Sequence, residues 1–328
     1  MILLLVRHAE SWNNAHLDNL RQIHGFDMDP ELYNATKKAD PELSKRGENQ
    51  AARLAEHIQV YIDSLDFVKS PSPRIELIAS PMKRALSTAK PIATQLRVRV
   101  EVWADVHETK GCWKSTGPPN RGSNPQQILA EHGDRYFMMS NVAPVSDAGW
   151  WTDSDGVPRG KETMAESLER ARLVASRLRR RALLCRDQTI TIMVTHGNWM
   201  SLLLQALMFP HARHQVHNLK HDNTAVTAIV LPGGGGRDNC QLVFSNRSEH
   251  LDVAPKIVRT RQRITFYGFN DLGVRPKHWV PPAVCVDGNS EDPEGRYGGA
   301  LFAALAGAAA ATGTLVLAWA AMRTRGAR

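Results

Sequence analysis

Short apolar runs punctuate the chain at residues 2–6, 75–79, 98–102, 189–194 and 225–231. Runs of this length, rich in Leu, Ile and Val and bounded by polar residues, predict strands buried on both faces. Between them the pattern changes to an apolar residue every three or four positions. Ala51, Leu54, Ala55, Ile58 and Ile62 share one face of a helix that Ser44 is placed to cap. A second helix is expected to start near Met82 and to end or kink at Pro91, which removes a backbone donor. A third carries Met164, Leu168, Ala171, Ala175, Leu178 and Ala182 on its apolar face. Its last turns hold Arg177, Arg179, Arg180 and Arg181, where cations complement the helix dipole and predict a solvated basic face. Strand and helix in alternation imply an α/β fold with a mainly parallel sheet flanked by helices on both sides, in three layers.

The pattern changes again toward the C-terminus. Gly233-Gly234-Gly235-Gly236 reads as a hairpin link between 225–231 and 241–244, and the first domain, residues 1–253, is expected to end near Val253. Residues 254–297 form an extension and linker, in which Ile264-Thr265-Phe266-Tyr267 can add a strand and 287–296 is acidic and glycine-bearing. Residues 298–322 carry no charge, and Arg323, Arg325 and Arg328 follow at once. About 20 predominantly apolar residues span a bilayer as a helix. Uninterrupted apolarity also lacks the polar face of a helix docked on a domain. A C-terminal transmembrane helix over 298–322 is therefore expected, with 323–328 as a short basic tail. Gly299, Ala303, Gly307 and Ala311 recur every four residues, a small-residue face through which two tails would pair as a homodimer.

At 328 residues and 42% hydrophobic content the chain can bury a full-sized core. Cys112, Cys185, Cys240 and Cys285 lie far apart without a C-x-x-C pair, as free thiols in a reducing compartment would. The apolar start at 2–6 is too short for the core of a signal peptide. A net charge of +8 suits an anionic substrate or surface. No aromatics interleave with the arginine cluster, so nucleic acid is not an expected partner.

Two of the strand-like runs end in chemistry. Arg7-His8 follows the first and His196-Gly197-Asn198 follows the fourth. The carboxyl ends of strands in an open α/β sheet face a shared cleft. An Arg-His pair with a second His there suits phosphoryl transfer through a phosphohistidine: one imidazole attacks phosphorus while cations hold the oxygens.

These strings resemble the histidine phosphatase superfamily, whose best-known branch is the cofactor-dependent phosphoglycerate mutases. Arg7-His8-Ala9 resembles the family's Arg-His-Gly, with Ala replacing Gly, a mild change if the backbone there needs no positive φ. Asn14 falls where the family places an Asn six residues after the nucleophile. The stretch from Leu43-Ser44 through Gly47 to Gln50-Ala51 is similar to the family's second motif. Ser80-Pro81-Met82-Lys83-Arg84-Ala85 is similar to the third. The resemblance implies a phosphoglycerate mutase-like fold in which His8 is the nucleophile. Arg7, Arg84, His196 and Asn14 would then bind the substrate phosphate. It places the general acid some two dozen residues after the clamp arginine. Glu108 fits, with Glu101 and Asp105 as rivals. One carboxyl group can protonate the leaving alkoxide and then activate water. Glu166-Ser167 resembles the family's Gly-Glu-Ser element without its Gly, or simply starts a helix. Asn223-Thr224 resembles an element opening the last core strand. By the same resemblance, 12–40 and 112–160 are insertions around the cleft mouth that select the substrate. The second carries Trp113, Trp150 and Trp151, aromatics that line a pocket or simply pack.

His211, His214, His217 and His221 are spaced to share a helix face and hold zinc, but Pro210 interrupts the pattern upstream. They are read as a polar surface segment. This chemistry requires no metal, and no cofactor is expected. The leading expectation is a metal-independent phosphomonoester hydrolase, tethered by its tail with the catalytic domain in the cytosol. The membrane expected is the mitochondrial outer membrane or the endoplasmic reticulum. Its substrate is a phosphorylated small molecule or a phosphoprotein. A phosphoglycerate mutase-type isomerase is the alternative, although the family's Glu-Arg-His-Tyr-Gly stretch is missing. A non-enzymatic membrane scaffold on the same fold is a third reading.

Overall fold

A computed structural model describes residues 1–65, 73–114, 117–185, 188–211, 219–233 and 240–252. In chain order the elements begin with β1 (Ile2–Arg7), α1 (Trp12–His24), α2 (Pro30–Thr36) and α3 (Lys45–Asp63). Next come β2 (Arg74–Ala79), α4 (Lys83–Leu96), β3 (Val100–Val102), α5 (Pro125–His132) and β4 (Phe137–Met139). The series closes with α6 (Met164–Leu184), β5 (Thr189–Thr195), α7 (Gly197–Met208), β6 (Val226–Val230) and β7 (Gln241–Arg247). Among the described residues one sheet runs in the order β4-β3-β2-β5-β1-β6-β7. The first five are parallel neighbours and the last two add antiparallel.

The alternation of side chains along β1 divides the core in two. Leu4 and Val6 join Leu54 and Ile58 of α3 and Leu86 and Ile92 of α4 on one face. Leu3 and Leu5 join Val174 and Leu178 of α6 and Leu203 of α7 on the other. Ser44 caps α3 as expected, accepting from the Gly47 amide at 3.0 Å. Gly47 has its own reason: a Cβ there would overlap the Glu10 carbonyl, which accepts from the Ser44 amide at 2.9 Å.

Several expectations need correction. Helix α4 runs through Pro91 to Leu96. The residues just beyond the proline, Ile92 and Ala93, are buried in the core, and that packing outweighs the missing backbone donor. On α6 the buried face includes Val174, while Met164 is exposed. The basic end of α6 is not a solvated face. Arg177 pairs with Asp105 at 2.6 Å and Arg181 with Glu76 at 2.8 Å, both over the Trp103 ring. Arg179 donates to the carbonyls of Ala206 and Leu207, in the last turn of α7. Strand β4, three residues long, had no run to announce it. The 12–40 segment forms α1 and α2. Trp150 and Trp151 are buried core residues packed on His107. Most of the tetraglycine, His214 and His217, the extension after Asp252 and the charge-free stretch 298–322 lie outside the described residues. Among the described residues no helix is long and apolar enough to cross a membrane.

Candidate active site

The parallel register brings the motifs together. His8 extends β1, its amide donating to the Thr195 carbonyl at 2.8 Å, and Ser80 extends β2 on the Val194 carbonyl at 3.0 Å. His196 follows β5 and stands at the N-cap of α7. Helices α1, α4 and α7 all start within a few residues of these strand ends, so their positive poles converge on one edge of the sheet.

His8 is buried, and its Nδ1 lies 2.7 Å from the Ala9 carbonyl. A carbonyl only accepts, so Nδ1 carries the proton and Nε2 keeps its lone pair. The Nε–H of Arg84 donates to that Nε2 at 3.1 Å. Burial, together with Arg84 and Arg7, holds the His8 pKa well below its usual value and keeps the ring neutral. Ala9 is not among the residues with positive φ, so replacing the motif's glycine costs the backbone nothing here. The Ala9 amide donates to Thr88 Oγ1 on α4 at 3.0 Å.

His196 sits with its ring centroid 5.1 Å from that of His8. Ser80 Oγ accepts from the Met82 amide and lies 2.8 Å from His196 Nε2, so its proton is free for that nitrogen. The Nδ1 of His196 is buried without a partner. Burial, Arg84 and the neighbouring His8 lower the His196 pKa well below normal. Arg7 donates from Nη1 to the His221 carbonyl at 2.6 Å, while its buried Nε is unpartnered. Burial lowers Arg7 to about 10, opposed by Glu108 and Asp222, so it remains a cation at neutral pH. Gly197 makes room for it: a Cβ there would stand 3.3 Å from Arg7 Nε. Arg84 lies between His8 and the buried Asp40, whose Oδ1 is 3.9 Å from Arg84 Nη1. Burial raises Asp40 to about 6.

Of the three carboxylates considered for the acid, only Glu108 reaches this edge. Its Oε1 accepts from the Trp199 amide in the first turn of α7 at 3.0 Å and from the Thr109 amide at 2.8 Å. It also lies within electrostatic reach of Arg7. Asp105 is paired with Arg177, and Glu101 accepts from Ser140 and faces Arg181. Asn14 spends its Oδ1 on capping α1, accepting from Ser11, and receives the Asn223 amide at 3.4 Å. Its own NH2 is the donor left for a ligand. Glu166 closes a capping box with Thr163 and is a helix-start residue.

Sequence reading gave the supports of the site no role of their own, although it placed Asn223-Thr224 at the opening of the last core strand. Asn223 donates to the His8 carbonyl at 2.9 Å, and the Thr224 amide to the Arg7 carbonyl at 3.0 Å. Thr224 adopts φ +60°, and its hydroxyl meets His250, which in turn meets Tyr61 of α3. Arg170 grips Glu162 with two bonds of 2.8 Å and donates to the carbonyls of Asp105 and His107, fixing the loop that carries Glu108. Asn223-Thr224 had a motif to announce it. A lone arginine inside a basic helix has none.

Residues 3–240 match the model of the histidine phosphatase superfamily, branch 1. The chain belongs to this family. Solved structures that the chain matches include phosphoserine phosphatase from Entamoeba histolytica, as its H9A mutant with phosphoserine. It is 19% identical over 76% of this chain and 98% of that one, with a TM-score of 0.43. A putative α-ribazole-5'-P phosphatase of Escherichia coli is 18% identical over 76% and 97%, at 0.45. Mycobacterial glucosyl-3-phosphoglycerate phosphatase, in complex with VO3, is 24% identical over 75% and 99%, at 0.43. No curated protein matches the chain significantly. The assignment therefore rests on the family, which supports phosphatase-type chemistry in general, and not on any one neighbour.

Proposed function

We propose that this protein is a phosphomonoester hydrolase that works through a phosphohistidine on His8 and is held to a membrane by residues 298–322. The observation that carries the reading is the fixed tautomer of His8: Nδ1 is locked on the Ala9 carbonyl, so Nε2 faces Arg84 with its lone pair. A phosphoryl oxygen takes over the Arg84 Nε–H, which frees that lone pair for attack on phosphorus. The ester oxygen then departs with a proton from Glu108, whose Oε2 is not engaged by the backbone bonds at Oε1. Arg7, Arg84 and His196 stabilise charge on the equatorial oxygens, and the Asn14 amide adds a neutral donor. In the second half, Glu108 takes a proton from water as it attacks the phosphohistidine, releasing inorganic phosphate and regenerating neutral His8.

The tether rests on the charge-free stretch and its basic end. It leaves the catalytic domain in the cytosol. One fractionation tests both halves. Phosphatase activity from the full-length protein should remain with membranes through alkaline carbonate extraction. The detergent-solubilised protein should release inorganic phosphate from phosphomonoesters. Activity that leaves with the carbonate wash would remove the tether. Rapid conversion of 3-phosphoglycerate to 2-phosphoglycerate in the presence of 2,3-bisphosphoglycerate, without phosphate release, would replace the hydrolase by a mutase.

A further inference from the structure

Beside the phosphate-binding edge, three lysines from separate parts of the chain converge. Lys37, just past α2, has its Nζ 5.5 Å from the centroid of the Trp113 ring, and Lys161, ahead of α6, has its Nζ 5.1 Å from the same ring. Lys110 lies close enough to Lys37, as does Lys161, for their charges to oppose one another. None of the three has an ion-pair partner among the described residues. The one carboxylate that acts on Lys37 is Glu31, which is already engaged by Asn34. Other cations near the sheet are paired, as Arg177 with Asp105, Arg181 with Glu76 and Arg170 with Glu162. One cation on an indole is favourable, but gathering uncompensated like charges around it is not. Such an arrangement is stabilised when an anion arrives.

The cluster adjoins the reacting groups. Lys110 follows Glu108 by two residues in a turn closed by the Gly111 amide on the Glu108 carbonyl at 3.2 Å. Trp113 follows Cys112, a buried thiol that feels the charges of Arg84 and Asp40. The Tyr33 ring is 6.0 Å from Lys37 Nζ, and its hydroxyl feels Arg84. A molecule with its phosphoryl group among His8, Arg7 and Arg84 would extend its other end toward Trp113.

We propose that Lys37 and Lys161, on the Trp113 ring, together with the neighbouring Lys110, bind a second anionic group on the substrate, which is therefore a phosphomonoester bearing a further carboxylate or phosphate. This rests on the phosphatase reading and adds the substrate class to it. The indole face accepts the apolar or sugar portion between the two anionic ends, and the lysines reject neutral esters only by failing to reward them.

The test uses 4-(carboxymethyl)phenyl phosphate and 4-methylphenyl phosphate, whose leaving groups are of similar basicity but of which only the first has a distal carboxylate. Binding of the two matching non-hydrolysable phosphonates is measured by calorimetry alongside. The full-length protein should favour the carboxylate member about tenfold in kcat/KM and in binding, the scale of a few partly screened charge contacts. The Lys37→Gln/Lys161→Gln variant should lose that preference, hydrolyse the neutral ester as before, and melt no lower than wild type. Equal treatment of both compounds by wild type, or an equal loss on both in the variant, would overturn the site. A tenfold binding preference without any hydrolysis would leave the anion site standing and remove the phosphatase reading instead.

Discussion

At the carboxyl ends of β1, β2 and β5, nearly every polar group is buried and held by a named partner: His8 by Ala9, Ser80 by His196, Arg7 by the His221 carbonyl. Among the buried atoms there without a partner are Arg7 Nε and His196 Nδ1, beside the proposed nucleophile. A few residues away, around Trp113, the rule inverts. Lys37, Lys110 and Lys161 are partly or fully exposed, of one sign, and carried by a helix end and two loops. The first region has the rigidity that chemistry on phosphorus requires, since a nucleophile and its clamps must be preorganised. The second has the looseness of a surface that selects among molecules sharing one phosphoryl group. Chemistry and selectivity are thus assigned to different kinds of structure.

The sharpest way to break this contrast lies at Glu108, which stands where the two regions meet. Glu108→Gln should lower kcat on alkyl phosphates by about 10² to 10⁴, the range for losing a general acid. The loss should shrink on p-nitrophenyl phosphate, whose leaving group needs little protonation. Asp105→Asn, which cuts only the ion pair with Arg177, should stay within a few-fold of wild type. A dead Asp105→Asn beside an active Glu108→Gln would move the acid and dissolve the boundary drawn here.

A smaller effect separates the regions by pH. Burial lowers the pKa values of His8, His107, His132, His196 and His221, the last to about 4. In the unfolded chain the same rings titrate near 6.5, so below that pH the unfolded state takes up protons that the fold refuses. Stability contributed by these neutral rings is complete above about pH 6.5 and falls as pH drops toward their folded values. Asp40, raised to about 6, works the other way between its ordinary 3.8 and 6, and offsets only part of this. The urea midpoint should therefore fall between pH 7.5 and pH 5. The Lys37→Gln/Lys161→Gln variant should show the same slope, because it leaves all five buried histidines in place. A flat midpoint over that range would mean the buried histidines are not held neutral by the fold.

How far these regions were legible in the sequence follows from the same contrast. Strands β1, β2 and β5 announce themselves as apolar runs, and the residues at their ends are drawn together by parallel register, so His8, Arg84 and His196 could be placed in one site from one dimension. Glu108 could be proposed but not separated from Asp105, because what distinguishes them is the distant Arg177 and the amides of α7. The four arginines late in α6 read as a solvated face, although three of them serve ion pairs and helix ends. Their partners Glu76, Asp105 and Ala206 lie far away in the chain. The Trp113 cluster had no signature at all, since Lys37, Lys110 and Lys161 are scattered lysines until the fold gathers them. Pro91 shows the converse, a strong local signal overridden by burial of the residues after it.

The central claim is that His8 Nε2 attacks phosphorus. Brief exposure of the full-length protein to a ³²P-labelled phosphomonoester, followed by rapid denaturing quench, should give one acid-labile, base-stable adduct that maps to the peptide containing His8. His8→Ala should show neither label nor turnover. Full turnover by His8→Ala, or a label stable to acid on another residue, would contradict the account.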